Sequence, residues 1–126
     1  MTNNELLSLA AEAAGRAYCK YSGFSVGAAL LCSGGRVFCG CNIENGSYSL
    51  TNCAERTAIF KAVSEGFTDF EAIAIVGSAD GDYSRPCYPC GACLQVMSEF
   101  CGGGFRIILS DGGHTLDELM PKRFGL

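Results

Sequence analysis

Tryptophan is absent from this sequence of 126 residues, histidine occurs once and proline three times, and acidic residues outnumber basic ones. The formal net charge of −4 means that the chain has no excess of basic residues with which to bind the phosphates of a nucleic acid. No apolar stretch is long enough to cross a membrane, and residues 1–5 lack the basic start and apolar run of a signal peptide. We therefore expect a protein that binds neither nucleic acid nor a membrane.

Cysteine and hydrophobic residues, by contrast, are abundant. The nine cysteines are an odd number, and hydrophobic residues make up 48% of the chain. Disulfide scaffolds of secreted proteins are shorter and richer in loops than a chain with such long periodic segments. These features predict a single domain over residues 1–126 with one core, located in a reducing cytoplasm.

Hydrophobic periodicity predicts alternating strands and helices. A first helix is expected over residues 3–19 with Thr2 or Asn3 as its cap, and Gly66 is expected to close the second helix in the left-handed conformation. Residues 27–29 are small, which predicts that a helix or a ligand packs closely there. The predicted strands cover residues 25–31, 36–41, 71–77 and 105–109, and the later helices start at Cys53 and Cys90. This order is typical of an α/β fold, a three-layer α/β/α sandwich with a mixed sheet.

Two cysteine-containing segments at predicted helix starts indicate a metal site. They are Cys53-Ala54-Glu55-Arg56 and Pro89-Cys90-Gly91-Ala92-Cys93. A structural zinc site usually takes four protein ligands, whereas a catalytic site takes three and leaves one position for water. Cys53, Cys90 and Cys93 supply three thiolates. Glu55 would lie beside the water without being a ligand, which is the pattern described for zinc deaminases.

Arg56 and the two helix starts have an electrostatic role in this interpretation. Three thiolates on Zn²⁺ make a net anion, which is poor at lowering the pKa of bound water. Helix N-termini carry about half a positive charge each and offset part of that excess. At roughly 5 Å and an effective dielectric constant near 20, a pair of unit charges is worth about 3 kcal/mol. We therefore interpret Arg56 as a neutraliser of the thiolates rather than an arginine on an exposed helix flank.

Other interpretations of the cysteines stay open at this point. Cys90 and Cys93 alone could form a thioredoxin-like redox pair. Cys87 precedes Cys90 by the same spacing and could be the fourth ligand of a structural zinc site. His114, the only histidine, falls in a predicted Gly-Gly loop away from both segments. The remaining cysteines are expected to be small core residues, namely Cys19, Cys32, Cys39, Cys41 and Cys101.

A polar tetrapeptide, Asn42-Ile43-Glu44-Asn45, opens a loop that runs to Asn52. A solvated turn is the simplest interpretation of four such residues. Its position between a strand end and the Cys53 segment favours a binding role instead. An asparagine offers a donor and an acceptor and a glutamate offers acceptor oxygens, which suits the hydroxyl groups of a sugar.

Four segments together resemble the small, homotetrameric type of cytidine deaminase over nearly the whole chain. They are Tyr21-Ser22-x-Phe24-x-Val26-Gly27-Ala28-Ala29-Leu30, Gly40-Cys41-Asn42-Ile43-Glu44-Asn45, Cys53-Ala54-Glu55-Arg56-Thr57-Ala58 and Pro89-Cys90-Gly91-Ala92-Cys93. The combination is far more specific than the zinc signature alone. The resemblance implies one zinc ion per chain, bound by Cys53, Cys90 and Cys93, with Glu55 carrying protons.

The resemblance also implies the residues that hold the substrate. Phe24 would stack on the pyrimidine, while Asn42 and Glu44 would bind the ribose hydroxyls. The backbone around Ala54 and Cys90 would contact the edge of the base.

Two further aromatic residues, Tyr48 and Phe124, resemble residues that reach the site of a neighbouring subunit. The resemblance therefore implies a homo-oligomer, most simply a tetramer, whose sites are completed across interfaces.

The sequence departs from the family pattern at three places. Lys20 stands where the family usually has proline, and Leu94 replaces a usual arginine after the last ligand. Residues 110–115 are too few for the usual last hairpin, so we expect a fifth strand that is cut back or missing. This shortening makes the placement of Phe124 at a neighbouring site a weaker expectation than that of Tyr48.

The expected function is zinc-dependent hydrolytic deamination of cytidine and deoxycytidine to uridine and deoxyuridine, in pyrimidine salvage. One alternative is a deaminase of another aminopyrimidine nucleoside, such as an antibiotic. Another is a non-enzymatic zinc-binding module, which would need neither Glu55 nor the pair of Asn42 and Glu44.

Overall fold

The computed structural model describes all 126 residues, which form five strands and four α-helices. In chain order these are α1 (Asn3–Ala14), β1 (Ser25–Cys32), β2 (Val37–Cys41), α2 (Ala54–Ser64), β3 (Phe70–Ser78), α3 (Gly91–Phe100), β4 (Arg106–Leu109), β5 (Gly112–Thr115) and α4 (Leu116–Leu119), with a short 3₁₀ turn at Tyr48–Leu50 between β2 and α2. None of the helices combines the length and the apolar character needed to cross a membrane.

The five strands form one mixed sheet in the order β2-β1-β3-β4-β5. β1 is antiparallel to both of its neighbours, β3 and β4 are parallel, and β5 returns antiparallel to β4. The parallel pair needs a crossover connection, and α3 provides it. The predicted mixed sheet is therefore confirmed.

The fifth strand is present but short. β4 and β5 have four residues each, and the pairing of Leu109 with Gly112 leaves a turn of only two residues, Ser110 and Asp111. The expectation that this strand is cut back is confirmed, whereas its absence is excluded. His114 is part of β5, opposite Ile107, so its predicted position in a Gly-Gly loop is wrong.

Helices cover both faces of the sheet, as the three-layer prediction requires. Successive strand residues point to opposite faces, so Ala28 and Leu30 join one core cluster while Ala29 and Leu31 join the other. The first cluster includes residues of α2, α3 and α4, such as Ile59, Met97 and Leu116. The second includes residues of α1, namely Leu6, Ala10 and Ala14.

The first helix is shorter than predicted. Thr2 caps it through a reciprocal pair of hydrogen bonds with Glu5, but it ends at Ala14 rather than near residue 19. Gly15 follows at the cap position, where glycine is a weak helix former. The next residues leave the helix because the Tyr18 backbone donates a hydrogen bond to the Asn42 carbonyl instead. Gly66, as predicted, adopts a left-handed φ of 94° after α2.

Glycines allow α1 and α2 to approach the sheet closely. A Cβ on Gly27 would collide with the carbonyl oxygen of Ala10 and the amide nitrogen of Ala14, so the close packing predicted for this strand is with a helix. On the other face, a Cβ on Gly40 would lie 2.6 Å from the Ala58 nitrogen and 2.7 Å from the Ala54 oxygen. Gly40 therefore sets the distance at which the backbone of α2 lies over β2.

Replacing Gly40 by alanine should lower the free energy of unfolding, because the backbone of α2 must move to make room. We expect a loss of about 1–3 kcal/mol, the usual range for overpacking, measured by urea denaturation. The matched control is Gly102→Ala, where the new Cβ would meet nothing within 4 Å and φ is not positive. Equal denaturation midpoints for the two variants would contradict the prediction.

Candidate metal centre and adjoining cavity

Three cysteines meet where two helices begin. Cys53 is the N-cap residue of α2, Cys90 is the N-cap residue of α3, and Cys93 lies in the first turn of α3. Their sulfur atoms all lie within 4.8 Å of one another. The structure thus brings together the three residues that the sequence predicted as ligands.

The spacing and chemistry of this cluster fit zinc. The sulfur atoms of Cys53 and Cys90 are 3.9 Å apart. Two thiolates on one tetrahedral zinc ion, each at about 2.3 Å, would be about 3.8 Å apart. Thiolate sulfur is also a ligand that zinc prefers over hard cations such as magnesium. Cys53, Cys90 and Cys93 can therefore hold one zinc ion.

The surroundings of Cys53 favour the thiolate form that metal binding requires. The hydrogen bond from the Cys93 thiol, together with Arg56, lowers the pKa of Cys53 to about 5. Arg56 donates from Nη2 to the sulfur at 3.2 Å, while its Nε is buried without a hydrogen-bond partner. The N-terminus of α2 acts in the same direction. Arg56 is thus in the position that a neutraliser of the thiolates would occupy.

Cys87 stays outside the cluster. It lies beside Gly77 and Phe24 and lines the adjoining cavity, and burial raises its pKa to about 11. Its sulfur does not belong to the group of three that lie within 4.8 Å of one another. Of the five cysteines predicted to be core residues, only Cys32 is fully buried. The other four are half-buried, namely Cys19, Cys39, Cys41 and Cys101.

Glu55 lies in the first turn of α2, two residues after Cys53 and directly before Arg56. Its side chain is buried, with 4% of the residue exposed, and it lines the same cavity as Cys53 and Cys90. Burial raises the pKa of Glu55 to about 7. A carboxyl group with such a pKa can exchange a proton near neutral pH.

The cavity beside the cluster has a volume of about 180 Å³. It is lined by Val26, Asn42, Thr51, Asn52, Cys53, Ala54, Glu55, Cys87, Tyr88 and Cys90. The sequence analysis missed Val26, Thr51, Asn52 and Tyr88 as lining residues. Three of them could have been predicted because they lie next to a predicted zinc ligand in the chain. Thr51 and Asn52 precede Cys53, and Tyr88 precedes Pro89-Cys90.

Asn42 reaches this cavity, although much of its side chain is committed to the fold. Its Oδ1 accepts a hydrogen bond from the Val26 nitrogen at 2.9 Å, and its Nδ2 donates to the Phe24 carbonyl at 2.8 Å. An asparagine side chain has two donor hydrogens and two acceptor lone pairs. One of each therefore remains for a ligand.

Glu44 lines a neighbouring hollow with Tyr21, Ser22, Tyr48 and Thr51. Its carboxylate accepts hydrogen bonds from the Tyr21 nitrogen and from the nitrogen and hydroxyl of Ser22. The Ser22 hydroxyl contributes most to lowering the pKa of Glu44. Thr51 borders both this hollow and the cysteine cavity, so the two are adjacent.

Three predicted substrate-binding aromatics do not line the cysteine cavity of their own chain. Phe24 lies against Gly77 and borders a hollow that also contains Arg85. Tyr48 is 74% exposed and meets Tyr21 edge-on, with ring centroids 6.1 Å apart. Phe124 is 66% exposed and lines a hollow with Gln95, Ser98 and Glu99 on the outer side of α3.

We expect Cys87→Ala to retain one zinc ion per chain and Cys53→Ala to lose it. The reason is that the sulfur of Cys53 belongs to the cluster of three, whereas the sulfur of Cys87 does not. Metal content of the purified proteins, determined by inductively coupled plasma mass spectrometry, checks this. Loss of zinc from Cys87→Ala with retention in Cys53→Ala would show that the site is structural and uses Cys87.

The chain was also compared with known proteins. The family described as "Cytidine and deoxycytidylate deaminase zinc-binding region" matches residues 1–107. A cytidine deaminase of Sporosarcina psychrophila is 50% identical over 98% of this chain and 92% of its own length. The crystal structure of cytidine deaminase from Burkholderia pseudomallei has a TM-score of 0.88 and 43% identity, covering 98% of this chain and all of that one. The crystal structure of cytidine deaminase from Mycobacterium tuberculosis has a TM-score of 0.90 and 40% identity, and the match covers 100% of this chain and 99% of that one. With its zinc-compatible cysteine cluster and buried glutamate, the chain belongs to the cytidine and deoxycytidylate deaminase family.

Proposed function

We propose that the protein is a zinc-dependent hydrolase that converts cytidine and deoxycytidine to uridine and deoxyuridine with release of ammonia. The observation that carries this proposal is the position of Glu55, a buried carboxyl group in the same cavity as Cys53 and Cys90, two of the three clustered cysteines. A zinc ion held only for structure would not need a cavity with a proton carrier beside it. The non-enzymatic module is therefore the weaker interpretation.

Zinc, when bound by Cys53, Cys90 and Cys93, lowers the pKa of water so that it can act as a nucleophile at neutral pH. Glu55 moves the protons of the reaction. Its carboxylate accepts one proton from the water and passes it to ring atom N3 of the pyrimidine as the oxygen bonds to C4. It then accepts the remaining proton of the hydroxyl group at C4 and passes it to the amino nitrogen, so that the C4–N bond breaks, ammonia leaves and the C4 carbonyl forms. A pKa of about 7 allows each direction of transfer, because both protonation states are populated near neutral pH.

The cavity walls supply the contacts that would hold the base and the sugar. Ala54 and Val26 are apolar, and the backbone at Ala54 and Cys90 would hydrogen-bond the edge of the base. The free donor and acceptor of Asn42 would bind a ribose hydroxyl. Glu44 has accepted three hydrogen bonds, and a carboxylate has about four lone-pair positions, so one stays available for a second hydroxyl at the Thr51 border.

Glu55→Gln should retain zinc and the fold but lower kcat for cytidine by about 10²–10⁴-fold, because glutamine cannot carry the proton. The fall in cytidine absorbance measures turnover. Glu65→Gln is a matched control, since it neutralises an exposed glutamate just after the same helix.

Free cytosine, which lacks the ribose, should be a poor substrate of the unaltered protein. Equal turnover of cytosine and cytidine would contradict the role of the sugar contacts. Faster turnover of an aminopyrimidine antibiotic nucleoside than of cytidine would favour that alternative substrate.

We also propose a homotetramer whose sites are completed by Tyr48 and Phe124 of neighbouring subunits. Ile43, Tyr48 and Leu50 are exposed apolar residues of the loop that ends at Asn52, and Tyr21, which is also exposed, packs edge-on against Tyr48. Exposed apolar patches of this kind mark interaction sites. Closed symmetry is the usual arrangement of soluble homo-oligomers.

Two inactive variants tested together can reveal shared sites. We expect Tyr48→Ala and Glu55→Gln each to be nearly inactive, and an equimolar mixture, dissociated and reassembled, to regain activity in about a quarter of its sites by random assortment. Light scattering measures the assembly and cytidine turnover measures the recovery. A monomer with full activity would contradict the proposal, as would a mixture no more active than its parts.

We place the protein in the cytoplasm on the basis of its cysteines. All nine are free thiols in the structure, and three of them form the candidate metal site. Thiolate ligands and free thiols persist where the surroundings are reducing.

A further inference from the structure

A hydrogen-bonded cluster joins the last hairpin to the wall of the cavity. The Tyr88 hydroxyl donates to Asp111 Oδ2 at 2.6 Å, and His114 Nε2 lies 2.9 Å from Asp111 Oδ1. The rings of Tyr88 and His114 meet edge-on with centroids 5.7 Å apart. Tyr88 lines the cavity and is separated from Cys90 only by Pro89.

This contact is unusual because the segment before Cys90 has no other hydrogen bond. Residues 85–89 belong to no helix or strand, and none of their backbone groups is hydrogen-bonded within the protein. The bond from the Tyr88 hydroxyl to Asp111 is the only hydrogen bond of this segment. Two contacts thus hold the segment in place, namely the packing of Cys87 beside Gly77 and the hydrogen bond from Tyr88 to the carboxylate of Asp111.

The carboxylate is well suited to this task. A short O–H···O⁻ bond to an ionised group is about twice as strong as a neutral one. The contact with His114 and the hydrogen bond from Tyr88 lower the pKa of Asp111, so it stays ionised at neutral pH. The two-residue turn between β4 and β5 fixes the backbone of Asp111 on the sheet. The Tyr88 hydroxyl is therefore tied to a rigid part of the fold.

We propose that Asp111 is a positioning residue of the metal centre, which acts through the Tyr88 hydroxyl to hold the segment that ends in Cys90. This rests on the proposed function only in requiring zinc at the cysteine cluster. Asp111 touches neither the cysteines nor the cavity. Its effect is to keep Cys90 and the Tyr88 wall in place, and so to slow the release of the metal.

The test is the rate of zinc release to an excess of a colorimetric chelator. Tyr88→Phe removes the hydroxyl alone and Asp111→Ala removes its acceptor, and each should release zinc at least about tenfold faster, as expected for loss of one hydrogen bond to an ionised group. The double variant should be no faster than the faster single variant, because both changes break the same bond.

Asp117→Ala is the control. It removes an exposed aspartate that pairs with Arg123 and makes no contact with Tyr88, so its release rate should equal that of the unaltered protein.

Thermal unfolding of the zinc-free proteins separates positioning from a general loss of stability. We expect Tyr88→Phe to lower the unfolding temperature of the zinc-free protein no more than Asp117→Ala does. We also expect excess zinc to restore kcat of Asp111→Ala, because Asp111 does not line the cavity. Unchanged release rates in both single variants, or additive effects in the double variant, would overturn the proposal. The release pattern described above, in a protein that does not deaminate cytidine, would support the positioning role and overturn the proposed function alone.

Discussion

The convergence of two helix N-termini on three cysteine sulfurs is the arrangement on which the rest of the structure depends. Thiolates at such a distance repel one another, and the two helix ends and Arg56 supply the compensating positive charge. That compensation works only if α2 and α3 begin at fixed positions. Gly40 provides this for α2, since only a residue without a side chain lets the helix backbone lie so close to β2. A glycine in the sheet thus determines where a metal ligand lies.

The same burial that stabilises the core creates the reactivity of Glu55. Residues 54, 58, 59 and 62 of α2 pack into the core, and Glu55 is carried inside with them. A carboxylate taken out of water favours its protonated form, which is why burial is the main cause of its raised pKa. Ionising Glu55 near the cysteines costs free energy, whereas ionising a glutamate on the surface would not. The fold tolerates the cost at a position where the proposed proton transfer would use both protonation states.

Local signals explain which features could be predicted from the sequence. The starts of α2 and α3 and the left-handed Gly66 each depend on residues within a few positions, so spacing and composition were enough. The cysteine cluster joins segments 37 residues apart, and it was predicted because each segment carries a recognisable part of a zinc site. The end of α1 was wrong because the Tyr18 backbone pairs with Asn42. The contact of Tyr88 with Asp111 and His114 joins segments more than 20 residues apart. No periodicity encodes such a contact, and only the register of β4 and β5 brings it about.

The reactive groups and the exposed aromatics are distributed in a way that indicates how the site excludes water. Glu55, Cys53 and Cys90 line the cavity and lie at the starts of helices packed on the sheet. Tyr88 and Thr51 also line it, whereas Tyr48 lies outside it on a short exposed turn. Proton transfer in a cavity open to solvent competes with proton loss to bulk water, and enclosing the site also strengthens every electrostatic interaction within it. One chain therefore contains the groups that would react, and in the proposed homotetramer a neighbouring subunit would supply the surface that encloses them.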